Sequence, residues 1–161
     1  MTAKLQRQDP QSTPLYDTDI IAWANEQARL LRTGCLDQLY IEHIAEEIED
    51  VGKSEQRELA NRMAVLLAHL IKWQCQPERQ GNSWRRTIRD RRNSIARRLR
   101  ATPSLKRCLS DPDWCADAWG DAVAAATAEA GLDDLPQDCP WPVGQVLDPD
   151  WLPESPALKL G

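Results

Sequence analysis

The chain has 161 residues and a net charge of −5, and 42% of its residues are hydrophobic, enough for one domain with a substantial core. No stretch approaches the roughly 20 apolar residues of a membrane span, and the polar Met1–Pro14 stretch lacks the apolar centre of a secretion signal. Sparse β-branched residues and abundant Ala, Leu, Arg and Glu set the expectation of an all-α fold.

Residues 1–14 contain Pro10 and Pro14 and are expected to form a flexible tail. A first helix is expected to start near Asp17 or Thr18, either a good N-cap, and to stop at Gly34. Ile20, Trp23, Ala24, Gln27, Leu30 and Leu31 recur at helical spacing. From Asp37 to Gln76 the pattern is helical throughout. Ile44, Ile48, Val51, Glu55, Leu59, Met63, Leu66, Leu70 and Trp73 hold one stripe at a period near 3.6. Gly52 and Ser54 predict a kink or a new start at residues 51–54, and Pro77 ends the element.

Ser83 is expected to cap an Arg-rich helix over residues 84–100. Its stripe is Trp84, Ile88, Ile95 and Leu99, with Arg91 beside it and Arg92 slightly farther away. Thr102-Pro103 opens a short helix to about Leu109, and Asp111-Pro112 opens another to Gly131. Six of the eleven prolines then fall between Pro136 and Pro156, so residues 132–154 form an arm rather than a long helix. Trp141, Val146, Trp151 and Leu152 are its expected anchors on the bundle. Asp-Pro-Asp-Trp occurs at Asp111–Trp114 and again at Asp148–Trp151, and is read as two independent Asp-Pro helix starts. The architecture is thus a single-domain antiparallel bundle of five or six helices over residues 15–154, with a loose end at 155–161. Trp23, Trp73 and Trp84 are its expected aromatic core.

Read as a string, LYDTDIIAWANEQARLLRTG, IAEEIEDVGKSEQREL, LLAHLIKWQCQPERQGNSWRRTIRDRR and CPWPVGQVLDPDWLPE occur in order between residues 15 and 154. With the His69-to-Pro77 and Ser83-Trp84 block as its most specific part, the chain resembles the bacterial family called domain of unknown function 29 (DUF29). The resemblance implies a bacterial helical protein. It implies no activity and transfers no catalytic residue.

Charge is sorted along the chain. Residues 84–107 carry ten basic side chains against Asp90 alone, while residues 36–60 carry eight acids against two bases. The basic helix either docks on acidic neighbours or offers Arg85, Arg86, Arg89, Arg92 and Arg97 to an anionic partner. For the docked case, Arg91 is expected to pair with Glu46, Glu49 or Glu55. Arg62 and His69, seven apart, resemble the Arg and His spacing of HEPN ribonucleases, but a partly buried, satisfied histidine is the plainer reading. His43 with Glu46 or Glu47 has helical metal-ligand spacing in one copy only. No metal and no cofactor is therefore expected, and that run reads as a solvated acidic face. The five cysteines show no CxxC pair and are expected to be free thiols in a cytosolic protein. The favoured function is a non-enzymatic protein-interaction or regulatory module with a protein partner. The alternatives are a nucleic-acid-binding protein using residues 84–100, and a HEPN-like ribonuclease or metal-dependent enzyme.

Overall fold

The computed structural model describes residues 14–156. The expected tail therefore falls outside the described residues apart from Pro14, and so do residues 157–161. The fold is an all-α helical bundle, with α-helices α1 (Pro14–Thr18), α2 (Ile20–Thr33), α3 (Ile41–Cys75), α4 (Asn82–Ala101), α5 (Pro112–Ala130) and α6 (Val143–Leu147). Short 3-10 helices fill Leu36–Gln38, Pro77–Arg79 and Pro103–Ser110. The described residues divide into two compact units, the first ending at Gly52 and the second starting at Lys53.

In the N-terminal unit the cap of α2 is Asp19, not Asp17 or Thr18. Its carboxylate accepts the Ala22 N–H at 3.0 Å, and the earlier residues make the single turn of α1. Gly34 ends α2 in the left-handed region at φ 73°, and the Cys35 N–H closes on the Leu30 carbonyl at 3.0 Å. Buried Gln27 then accepts the Tyr40 N–H at 3.0 Å, fixing the approach to α3.

α3 is continuous over 35 residues, about 50 Å at 1.5 Å per residue. No second helix starts at residues 51–54. Gly52 costs roughly 1 kcal/mol there, but Glu49, Lys53, Glu55, Gln56 and Arg57 are good helix formers. Propagating an existing helix is easier than stopping it and nucleating a second one.

The second unit holds a core built by Leu59, Leu66, Leu70 and Ile71 of α3 with Ile88 and Ile95 of α4 and Ala118, Trp119, Ala122 and Ala126 of α5. Contacts between α3 and α4 run in opposite directions along the two helices. Glu55 meets Arg98, Arg62 meets Ser94, and the Trp73 ring lies 4.8 Å under the Arg85 guanidinium. α4 is therefore antiparallel to α3. α5 ascends with α3, because Trp114 Nε1 donates to the Gln56 carbonyl at 3.3 Å and Lys72 pairs with Glu129 at 2.7 Å.

α4 begins at Asn82 after Gly81, with no side-chain cap, so Ser83 does not serve as one. α5 starts as expected: the Asp111 carboxylate accepts the Asp113 and Trp114 N–H groups, and Gly131 closes the helix at φ 62°. The second Asp-Pro-Asp-Trp starts no helix. Asp148 Oδ1 accepts the Asp150 N–H at 2.9 Å, the same local bond as at Asp111, but the chain continues as a turn beyond α6. The motif encodes the turn, and the residues after it decide whether a helix follows.

The arm packs back on the second unit. Trp119, Trp141 and Trp151 form an edge-to-face chain with ring centroids 5.7 Å apart at each step. Trp119 Nε1 donates to the Pro136 carbonyl at 3.0 Å. Contacts continue past Leu152: Pro153 is buried, and Gln80 Nε2 donates to Ser155 Oγ at 3.1 Å. Ser155 therefore belongs to the packed arm rather than to a loose end. The aromatic core also differs from expectation. Trp73 and Trp119 are the buried indoles of the second unit, Trp84 is half-buried, and Trp23 packs within the N-terminal unit.

Candidate functional site

Two surfaces concentrate unusual chemistry. In the N-terminal unit Tyr16 stacks on His43 at 3.9 Å, and Trp23 meets the Tyr16 ring edge-on at 4.8 Å. The Tyr16 hydroxyl donates to Glu47 at 3.1 Å and Glu46 at 3.2 Å, and His43 Nδ1 lies 3.1 Å from Glu46. Partial burial, then the bond to Glu47, pushes the Tyr16 phenol up to about 12. The contacts from His43 and then Tyr16 hold Glu46 below the usual carboxylate range. These groups are spent on one another. Among the described residues no three His, Cys, Asp or Glu side chains gather as metal ligands.

Around this cluster the surface is both apolar and acidic. Nine of the ten exposed large hydrophobic side chains among the described residues lie between Leu15 and Val51, which sets this unit apart from the covered core of the other. Ile41, Ile48 and Val51 share one side of α3, and Ile48 and Val51 are 67% and 66% exposed. The expected stripe is thus buried only from Leu59 onward. Residues 15–52 also carry nine carboxylates against Arg29 and Arg32, a net of −7. Periodicity finds the stripe but says nothing of what covers it. Five carboxylates within Glu42–Asp50 were the available sign that α3 stays near solvent there.

The second surface is on α4. Arg85, Arg86, Arg89 and Arg92 line one groove of 620 Å³ with Asn82, Ile88, Pro149, Asp150 and Leu152; Arg97 is exposed outside that lining. Sequence reasoning placed the arginines but missed the wall supplied by the arm. The expected Arg91 ion pair is not formed. Arg91 is exposed, and Arg98, two turns on, takes Glu55 at 2.7 Å. Arg92 is the buried arginine, and its Nε donates to the Val146 carbonyl at 2.8 Å. At 100° per residue, Arg92 lies about 40° from the line of Ile88, Ile95 and Leu99, and Arg91 about 60° from it. Counting Trp84 into the stripe shifts the centre toward Arg91, but Trp84 is only half-buried.

Arg62 and His69 have separate partners. Arg62 pairs with Glu58 at 2.9 Å and donates to Ser94, while His69 Nδ1 lies 2.8 Å from the Val65 carbonyl. Burial lowers the His69 pKa, so the ring is neutral at pH 7 and Nδ1 is the donor. Neither residue lines any of the three principal cavities. The apolar one, 320 Å³, lies among Met63, Trp114, Trp119 and Trp141 with Cys115 and Cys139 in its wall. Burial pushes both thiols up, which favours their protonated form.

Fold and surface together define an all-α helical bundle with a basic groove on one helix and an acidic, apolar N-terminal face. The chain belongs to the family described as Domain of unknown function DUF29, which it matches over residues 15–152. No curated protein and no solved structure matches it. Among the described residues no helix is long and apolar enough to cross a membrane.

Proposed function

We propose that this protein is a non-enzymatic protein-interaction module, and that the N-terminal unit is its docking face. The observation that carries the reading is the crowding of exposed Ile, Leu, Tyr and Val side chains into residues 15–51 among nine carboxylates. Exposed apolar side chains gathered in one unit and interspersed with charge suit a docking face. Its acidity selects a partner that presents apolar side chains with Lys or Arg around them, because opposite potentials steer encounter and like charges are rejected. A second copy meeting face to face would bring two −7 surfaces together, so a different, basic partner fits better. The five free thiols agree with a reducing compartment, and a bacterial cytosol is part of this reading.

The test compares affinity-tagged wild type, Ile21→Lys/Ile48→Lys and Arg86→Glu/Arg89→Glu in the native host. Both protein and nucleic acid in the eluates are identified. The reading expects one protein in near-stoichiometric yield from wild type and the α4 variant, and its loss from the Ile variant. Recovery of nucleic acid alone, lost only with the α4 variant, would instead make the protein a nucleic-acid binder.

A further inference from the structure

The groove on α4 has a floor that its own protein leaves incompletely paired. Arg92 is 5% exposed. Its Nε and Nη1 donate to the Val146 and Pro149 carbonyls at 2.8 and 3.5 Å, both neutral acceptors, and its Nη2 has no partner among the described residues. Asp148 acts on it through its charge but makes no bond to it; a buried guanidinium with no direct ion pair is costly, and an anion is the group that relieves it. Above it stand three more guanidinium groups. Arg85, Arg86, Arg89 and Arg92 fall at i, i+1, i+4 and i+7, so they share one side of the helix. Against these four cations the groove wall supplies one carboxylate, Asp150. Asp90 approaches Arg89 only at 3.8 Å, with both side chains exposed, so it neutralises little. Arg85 is steadied by the Trp73 ring, and the arm's two carbonyls fix Arg92. The cations are therefore partly organised before any ligand arrives.

We propose that this groove binds a small ligand through an oligophosphate chain. Arginine forks match pairs of phosphate oxygens, and several charges in a short chain answer several arginines, which a single carboxylate does not. The groove holds 620 Å³ and is walled on one side by Pro149 and Leu152, dimensions that suit a compact anion. A long polyanionic strand fits less well, because the chain as a whole carries −5 and repels it beyond the groove. The groove belongs to the second unit and the proposed docking face to the first, and neither reading depends on the other.

The test is calorimetric titration of the full chain, at low salt, with inorganic tripolyphosphate and with a nucleoside triphosphate. Saturable binding of one ligand per chain is expected. Arg86→Glu/Arg89→Glu, which changes exposed residues only, should weaken it by about tenfold or more. Arg100→Glu/Arg107→Glu makes the same change of charge elsewhere and should leave affinity within about threefold. Arg92→Lys keeps the charge but loses the fork, and should weaken binding while circular dichroism stays native. Equal affinity for the two probes places recognition in the phosphate chain; tighter nucleoside triphosphate binding adds contact with the Pro149 and Leu152 wall. Both support the proposal. Absence of saturable binding overturns it, as does equal loss in the two charge-reversal variants. So does binding of a single-stranded oligonucleotide that tripolyphosphate fails to displace.

Discussion

Arg91 and Arg92 are adjacent, alike in chemistry and opposite in environment, which makes them a matched pair for measurement. Arg92→Ala removes a charged donor from the buried Val146 carbonyl and from a longer, part-buried contact with Pro149, and hydrogen bonds to a charged group contribute about 1.5–3 kcal/mol. A loss of about 2–3 kcal/mol in urea unfolding is expected. Arg91→Ala, at an exposed position, should stay within about 0.5 kcal/mol. Equal losses for the two would contradict the geometry. That α4 would bury an arginine was legible in the sequence, because the stripe passes close to both residues. The choice between them was not, because it turned on how fully Trp84 is covered. The partner was not legible either: Arg92 is held by main-chain carbonyls of the arm, and no side-chain pattern announces them. His69 gives a second residue-scale test. Its folded pKa lies below the ordinary 6.5 because burial disfavours the charged ring. As pH falls through 6.5, the unfolded chain takes up a proton that the folded chain resists, so stability declines toward acid. His69→Asn keeps a donor for the Val65 carbonyl and does not titrate. Its stability should fall less steeply between pH 7 and pH 5; an unchanged slope would place the acid sensitivity elsewhere.

At the scale of elements, the continuity of α3 is the feature with the widest consequence. Gly52 is exposed within a regular helix, and a Cβ there meets no atom within 4 Å. Gly52→Ala is therefore expected to stabilise the protein by about 0.5–1 kcal/mol, by helix propensity and by narrowing the unfolded ensemble. Chemical denaturation measures it, and a destabilised variant would mean that residue 52 needs a backbone other than helix. The helix itself was legible from its 3.6-residue period, and so were the caps at Asp111 and Gly131. The new helix start was misread because glycine marks a weak point, and a weak point yields only when the flanking residues also fail. The second Asp-Pro-Asp-Trp was misread for a related reason. Four residues specify a local turn, whereas the helix after Asp111 depends on the Ala-rich run that follows Trp114 and has no counterpart after Trp151.

For the whole molecule, helices, proline-rich arm and charge sorting are written in composition and period, and the matched family adds no chemistry to them. The candidate surfaces were less readable, because each depends on what the fold leaves uncovered. The same apolar period describes Leu59–Leu70, which is buried, and Ile41–Val51, which is not. The most direct measurement of the central claim is photo-crosslinking in the native host from a photoreactive side chain at position 48, with position 107 as the control. Docking through the N-terminal unit predicts a crosslink from position 48 to one protein that presents basic residues around an apolar patch, and none from position 107. No protein crosslink from position 48, with nucleic acid crosslinked from position 107, would contradict it.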